Sequence, residues 1–161
     1  MKKDNKGFSL LELLIVLAIM GLLITTTINA WYYFRQADVK QASKLINTML
    51  EYTRTNTMSV NASWEMKIEK DVTDDTYYVT VYRDGELWRK NELGKRITVY
   101  MVKGSTETEI TTSLSASITF KMDTGGIKDC DGVEAYRIKS GDKMADVKLV
   151  TLTGAHYVQE Q

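Results

Sequence analysis

The sequence predicts an α+β protein: a long N-terminal α-helix, half of it membrane-spanning, packed on an antiparallel β-sheet domain. Three observations predict it. No proline occurs in the 161 residues and no glycine between Gly21 and Gly85, so nothing interrupts a helix along the first part of the chain. Val39, Ala42, Leu45, Ile46, Met49 and Leu50 follow the 3, 4 spacing of a half-buried helix. After Ser59 the apolar period changes to two, and Asp84-Gly85 sits between two alternating runs, a strong hairpin signal.

The first element starts with the basic leader "MKKDNK", followed by "GFSLLELLIVLAIMGLLI" over residues 7–24. A basic flank before an apolar run sets the N-terminus on the cytoplasmic side. Spanning takes about 20 residues, and "TTTINAWYYF" extends the run to Phe34, with Trp31, Tyr32 and Tyr33 as an interfacial aromatic belt before Arg35. A secretory signal peptide cut after Ala30 is the rival reading. Glu12 argues against it and against a plain anchor, because a carboxylate at the bilayer centre costs about 2.5–3.5 kcal/mol or more and has no use in either.

From Asp38 the amphipathic pattern carries the same helix onward to about Met58, with Lys40, Lys44 and Glu51 elsewhere on its circumference. One helix from about Phe8 would then be about 75 Å long at about 1.5 Å per residue. Strands read at "SWEMKIEK", "TYYVTVYRDGELWRK", "RITVYMVK", "SITFKM", "EAYRIKS" and "ADVKLVTLT", with turns at "DTGG", "SGD" and "LTG". Trp64, Tyr77, Tyr78, Tyr82, Trp88 and Tyr100 fall at strand spacing and are expected in core and cross-strand packing. The expected division is residues 1–7 leader, 8–34 transmembrane helix, 35–59 its amphipathic continuation, and 60–161 antiparallel β domain.

Composition excludes several classes. The 21 basic and 21 acidic side chains cancel, which implies no broad basic surface for nucleic acid. Cys130 is the only cysteine, so no intramolecular disulfide forms, and the two flanking aspartates disfavour its thiolate. The single His156 rules out a multi-histidine site. Asp123, Asp129 and Asp131 in "DTGGIKDCDG" are weak calcium candidates. A solvated turn is the preferred reading, because no later glutamate stands at the bidentate position of a calcium loop. "NAS" at Asn61 satisfies the N-x-S glycosylation pattern, a frequent chance match. No catalytic residue is expected, and calcium is the one cofactor candidate.

"KGFSLLELLIVLAIMGLLI" closely resembles the N-terminus of type IV pilins and of the pseudopilins of type II secretion and competence systems. The resemblance implies that a prepilin peptidase and methyltransferase cuts after Gly7, that Phe8 becomes the methylated terminus, and that Glu12 is the family's acidic assembly residue. Two buried opposite charges need each other, and the spacing from Phe8 to Glu12 puts both on one helix face within one chain. In the family the acid is thought to meet the terminal amine of a neighbouring subunit. Many members carry a proline where this chain has Asn29. The implied partners are sister pilin or pseudopilin subunits, an assembly-platform membrane protein with its ATPase, and membrane lipid. The implied location is the inner membrane, N-terminus cytoplasmic and domain outside, then a cell-surface or periplasmic filament.

The second half resembles the group of minor pseudopilins and minor pilins that includes the H-type pseudopilin and the FimT-like pilins, matching at Phe120, Gly125, Thr153 and Gly154. Some FimT-like members bind DNA through arginines near the final turn, where this chain reads "TGAHYVQEQ", so nucleic acid is not among the expected partners. The expected function is structural, that of a minor pilin or pseudopilin. The alternatives are a major pilin, or a membrane-anchored or secreted binding module unrelated to pili.

Overall fold

The structure is a computed structural model that describes residues 9–160, and for residues 25–31 the backbone alone. Among the described residues one helix is followed by ten strands: α1 (Leu10–Ser59), β1 (Trp64–Lys70), β2 (Tyr77–Arg83), β3 (Glu86–Gly94), β4 (Thr98–Lys103), β5 (Thr106–Glu109), β6 (Ala116–Phe120), β7 (Ile127–Asp129), β8 (Ala135–Ser140), β9 (Lys143–Val150) and β10 (Ala155–Glu160). The class is α+β with antiparallel pairing throughout. The chain divides into two compact units, Met1–Phe34 and Arg35–Gln161.

The expected single sheet is two. One runs β3-β2-β1-β6-β7 and the other β10-β9-β8-β4-β5. Three strands, β5, β7 and β10, were not expected, and β9 ends at Val150, with the turn expected at "LTG" beginning one residue earlier, at Thr151. The helix begins at Leu10; the expected start at Phe8 lies outside the described residues.

Within the Arg35–Gln161 unit, the helix stripe Val39, Ala42, Ile46, Met49 and Leu50 is buried against the inward faces of both sheets. Those faces alternate as a period of two demands: Trp64, Met66 and Ile68 with Val79, Val81 and Ile118 in the first sheet, and Val99, Tyr136, Ile138, Ala145 and Val147 in the second. The hydroxyls on this part of the helix are satisfied along it, Thr53 Oγ1 donating to Met49 O (2.7 Å) and Thr57 Oγ1 to Thr53 O (2.8 Å), which lets polar residues lie on a buried face.

Tyr77 ties the sheets together. Its ring is in the core, and its hydroxyl lies 3.2 Å from both Glu109 Oε1 and Ile110 O, to one of which it donates. Burial, and then the Glu109 carboxylate, push the phenol up to about 12. Folding therefore favours the neutral phenol: its contribution is complete below pH ~10, where an unfolded tyrosine titrates, and is lost as pH rises toward about 12. Tyr77→Phe is expected to cost about 1 kcal/mol at neutral pH and to weaken the fall in stability above pH ~10; urea unfolding at pH 7 and pH 11 reads both.

All of the buried core residues belong to the Arg35–Gln161 unit. A chain starting at Arg35 is expected to fold, with far-ultraviolet circular dichroism of an α+β protein and one cooperative thermal transition. A disordered spectrum would show that residues before Arg35 are needed to form the core.

Candidate functional site

Two places in the molecule carry the residues singled out from the sequence. The first is the start of α1. Ser9 is its N-cap: the Glu12 backbone N–H donates to Ser9 Oγ at 3.1 Å, and the Leu13 N–H makes the first helical bond to Ser9 O at 3.1 Å. Ser9-Leu10-Leu11-Glu12 has the S-x-x-E spacing of a capping box, a signal the sequence reading passed over. A carboxylate in the first turn also suits the positive end of the helix dipole. The face-sharing expected for Phe8 and Glu12 within one chain lies outside the described residues. Gly7 and Phe8 lie outside the described residues.

Glu12 is exposed, and its carboxylate has no partner among the described residues. Around it Leu10, Leu11, Leu13, Leu14, Leu17, Leu22, Leu23 and Ile24 are all more than half exposed, an apolar surface of a size that marks an interaction site. Among the described residues no helix is long and apolar enough to cross a membrane. The span expected over residues 8–34 includes Phe8 and the side chains of residues 25–31, which lie outside the described residues. Tyr32, Tyr33 and Phe34 are exposed, while the side chain of Trp31 is not described.

The second place is the C-terminal end of α1. Here the turn before β7 and the turn between β9 and β10 come together on Arg54, whose Nε donates to Gly125 O (3.1 Å) and Nη2 to Thr153 O (3.2 Å). Gly125 and Gly154 have φ of 65° and 67°, a left-handed backbone that glycine adopts without cost. A Cβ on Gly154 would overlap the Gly125 carbonyl oxygen. Ile127 N–H donates to Thr151 O (2.9 Å), joining the turns directly. His156 packs beside them with its side chain almost wholly buried, Nδ1 3.1 Å from Gly154 O and Nε2 3.4 Å from Glu51 Oε2. The residues matched in the sequence, Phe120, Gly125, Thr153 and Gly154, thus build this junction or abut it. Arg54 was missed, since a helix arginine bonded to two distant turns leaves no local signal.

The other candidates do not gather. Among the described residues no group of three acidic, histidine or cysteine side chains is placed to hold a metal. The Asp129 carboxylate accepts the Asp131 N–H (3.1 Å) and Asp123 accepts from Thr124 Oγ1 (3.3 Å), each engaged in its own turn. Calcium at Asp123, Asp129 and Asp131 is therefore not supported. Cys130 is buried, its thiol 3.5 Å from Val133 O, and Asn61 is exposed. Of the aromatics, Trp64 and Tyr77 are core as expected, whereas Trp88 is 54% exposed.

Residues 2–28 match the family model of the prokaryotic N-terminal methylation motif, the signature of type IV pilins and pseudopilins. No curated protein and no solved structure matches the chain. The motif implies processing by a prepilin peptidase, membrane anchoring of the N-terminal segment before assembly, and assembly with other pilin subunits, and its family is structural rather than enzymatic.

The junction makes a sharp prediction. Gly154→Ala adds a left-handed strain of about 1–2 kcal/mol to a steric conflict with backbone, and is expected to lower stability by ~3 kcal/mol or more. Gly104→Ala, with φ of 58° but open space around its Cβ position, carries the strain alone and is expected to cost about 1 kcal/mol. Equal costs in chemical denaturation would show that the turn–turn contact contributes nothing.

Proposed function

We propose that the chain is a pilin-like structural subunit, a minor pilin or pseudopilin, cut after Gly7, N-methylated at Phe8 and assembled through its apolar helix into a filament of a type IV pilus, type II secretion or competence system. The observation that carries this reading is the match of residues 2–28 to the methylation motif. The precursor sits in the inner membrane with its N-terminus cytoplasmic and the β domain outside. It is the substrate of the peptidase and catalyses nothing itself; an assembly-platform protein and its ATPase extract it from lipid.

In this mechanism residues 10–24 bury their exposed apolar surface against sister helices, and Glu12 sets the register. Its carboxylate lacks a partner among the described residues, and in this reading the partner is the methylated amine of a neighbour's Phe8. Two buried charges are tolerated when paired, and removing one partner costs about 3–5 kcal/mol.

Glu12→Val tests this. The leader and scissile bond are untouched, so the variant is expected to insert in the membrane and to be cut normally. Its incorporation into sheared filaments or crosslinked oligomers is expected to fall at least tenfold. Normal incorporation would overturn the register role, and loss of cutting would move Glu12 into peptidase recognition. Terminal sequencing places the processing itself: Phe8 as the mature terminus fits the reading, Trp31 sinks it, and Gly7→Val is expected to stay uncut because a side chain blocks the approach to the backbone.

A further inference from the structure

The exposed Trp88 is part of a cluster that packing alone does not explain. Tyr52 on α1, Trp64 on β1 and Trp88 on β3 form a chain of edge-to-face contacts, ring centroids 6.0 and 5.9 Å apart. Trp88 reaches the helix because β3 is irregular: Val81 pairs with Arg89 but Tyr82 with Leu87, so Trp88 is the extra residue of a bulge. Trp88 Nε1 donates to the Tyr52 hydroxyl (2.9 Å), and the Arg89 guanidinium lies 4.7 Å from the Tyr52 ring centre. Arg83 stands over Trp64 and Trp88 together, at 5.6 and 5.5 Å.

Stacking fixes the two guanidinium groups without using their N–H donors. Arg89 has no carboxylate within ion-pair distance among the described residues. Arg83 has only Asp84 Oδ2 at 3.8 Å, and the other Asp84 oxygen already accepts the Ser63 N–H (2.8 Å). Trp64 Nε1 is buried without a partner. The donors open to a ligand are thus the guanidinium N–H groups of Arg89 and Arg83, with the Asp84 carboxylate beside the second. Trp64, and Asp84 beside Arg83, also line a neighbouring groove of about 680 Å³ that continues to Lys121 and Lys128, and neither lysine has an ion-pair partner among the described residues. Its complement is an extended anionic ligand with a flat apolar face for Trp88.

We propose that this surface binds a linear polymer of carboxylated sugars, with the ring face of one unit on Trp88, its carboxylate on Arg89 and Arg83, and the following units along the groove toward Lys121 and Lys128. A guanidinium takes a carboxylate in bidentate, charge-assisted geometry, and an indole presents a large flat surface to a CH-rich ring. An added peptide strand is disfavoured, because bulges at Trp88 and again at Leu93 break the spacing of backbone groups along β3. Single-stranded nucleic acid is disfavoured as well. It needs successive stacking platforms, whereas here one ring is strongly exposed, Trp64 being buried.

The test uses the full chain, unassembled in detergent micelles, so that its outcome is independent of filament formation. Polygalacturonate is titrated against it beside two controls, the same polymer with its carboxylates methyl-esterified and an oligothymidylate of similar length. Expected are saturable binding of polygalacturonate, its loss on esterification, and affinity about tenfold weaker in Arg89→Gln and in Lys121→Gln. Both side chains are exposed, so the thermal midpoint is expected to stay at the wild-type value. No binding, binding that survives esterification, oligothymidylate bound as tightly, or full affinity in both variants would each overturn the proposal.

Discussion

The β domain depends on one arginine reaching two carbonyls. No strand of one sheet pairs with a strand of the other, so their relative placement must come from elements that touch both. The inward stripe of α1 does this without direction, as apolar burial does. Arg54 does it with direction, since its planar fork holds Gly125 O and Thr153 O at once and so fixes one turn of each sheet against the helix. The glycines are the counterpart. Only a backbone free of Cβ brings the two turns close enough to share one guanidinium. Tyr77, whose hydroxyl donates across to Glu109 of β5 or to Ile110 O just after it, is a second directional tie.

The sequence of α1 divides at Arg35. Before it the described side chains of α1 are apolar and exposed but for the carboxylate of Glu12; after it the buried apolar residues narrow to a stripe and most of the remaining positions are polar or charged. The first part has no core of its own to bury against, and the second belongs to the domain core. Exposed leucines in such number are an unsatisfied interface in water, consistent with the anchoring and assembly that the N-terminal motif implies.

Most of this was legible where the physics is local. The 3, 4 spacing found the core stripe of the helix, the change to period two found β1, β2, β4, β6 and β8, and Asp84-Gly85 found the β2–β3 hairpin. What was missed depends on contacts distant in sequence. β7 has three residues and β5 four, too short to show alternation. β10 is an edge strand with little buried surface, so its pattern is mostly polar. The division into two sheets is a matter of pairing, on which alternation within a strand is silent. Trp88 was placed in the packing because strand spacing was counted through a bulge that moves it to the exposed edge. Ser9 is a different kind of omission: its spacing to Glu12 was readable, but Glu12 was weighed for its charge alone.

The two properties of Glu12 bear on how assembly could be selective at all. On the reading proposed above, the helix passes from lipid into a bundle of sister helices, and both surroundings are apolar. Burying leucine in one rather than the other gains little, so association must come from close packing and from polar pairs. A carboxylate that is costly in lipid and paired in the bundle turns that cost into a preference for the assembled state. The Ser9 cap satisfies the backbone N–H of Glu12, and the carboxylate has no partner within the described residues, so on this reading it is open to a donor from another chain. Register then follows, because a helix displaced by one turn, about 5.4 Å, would hold its leucine contacts nearly as well but would leave both charges unmatched.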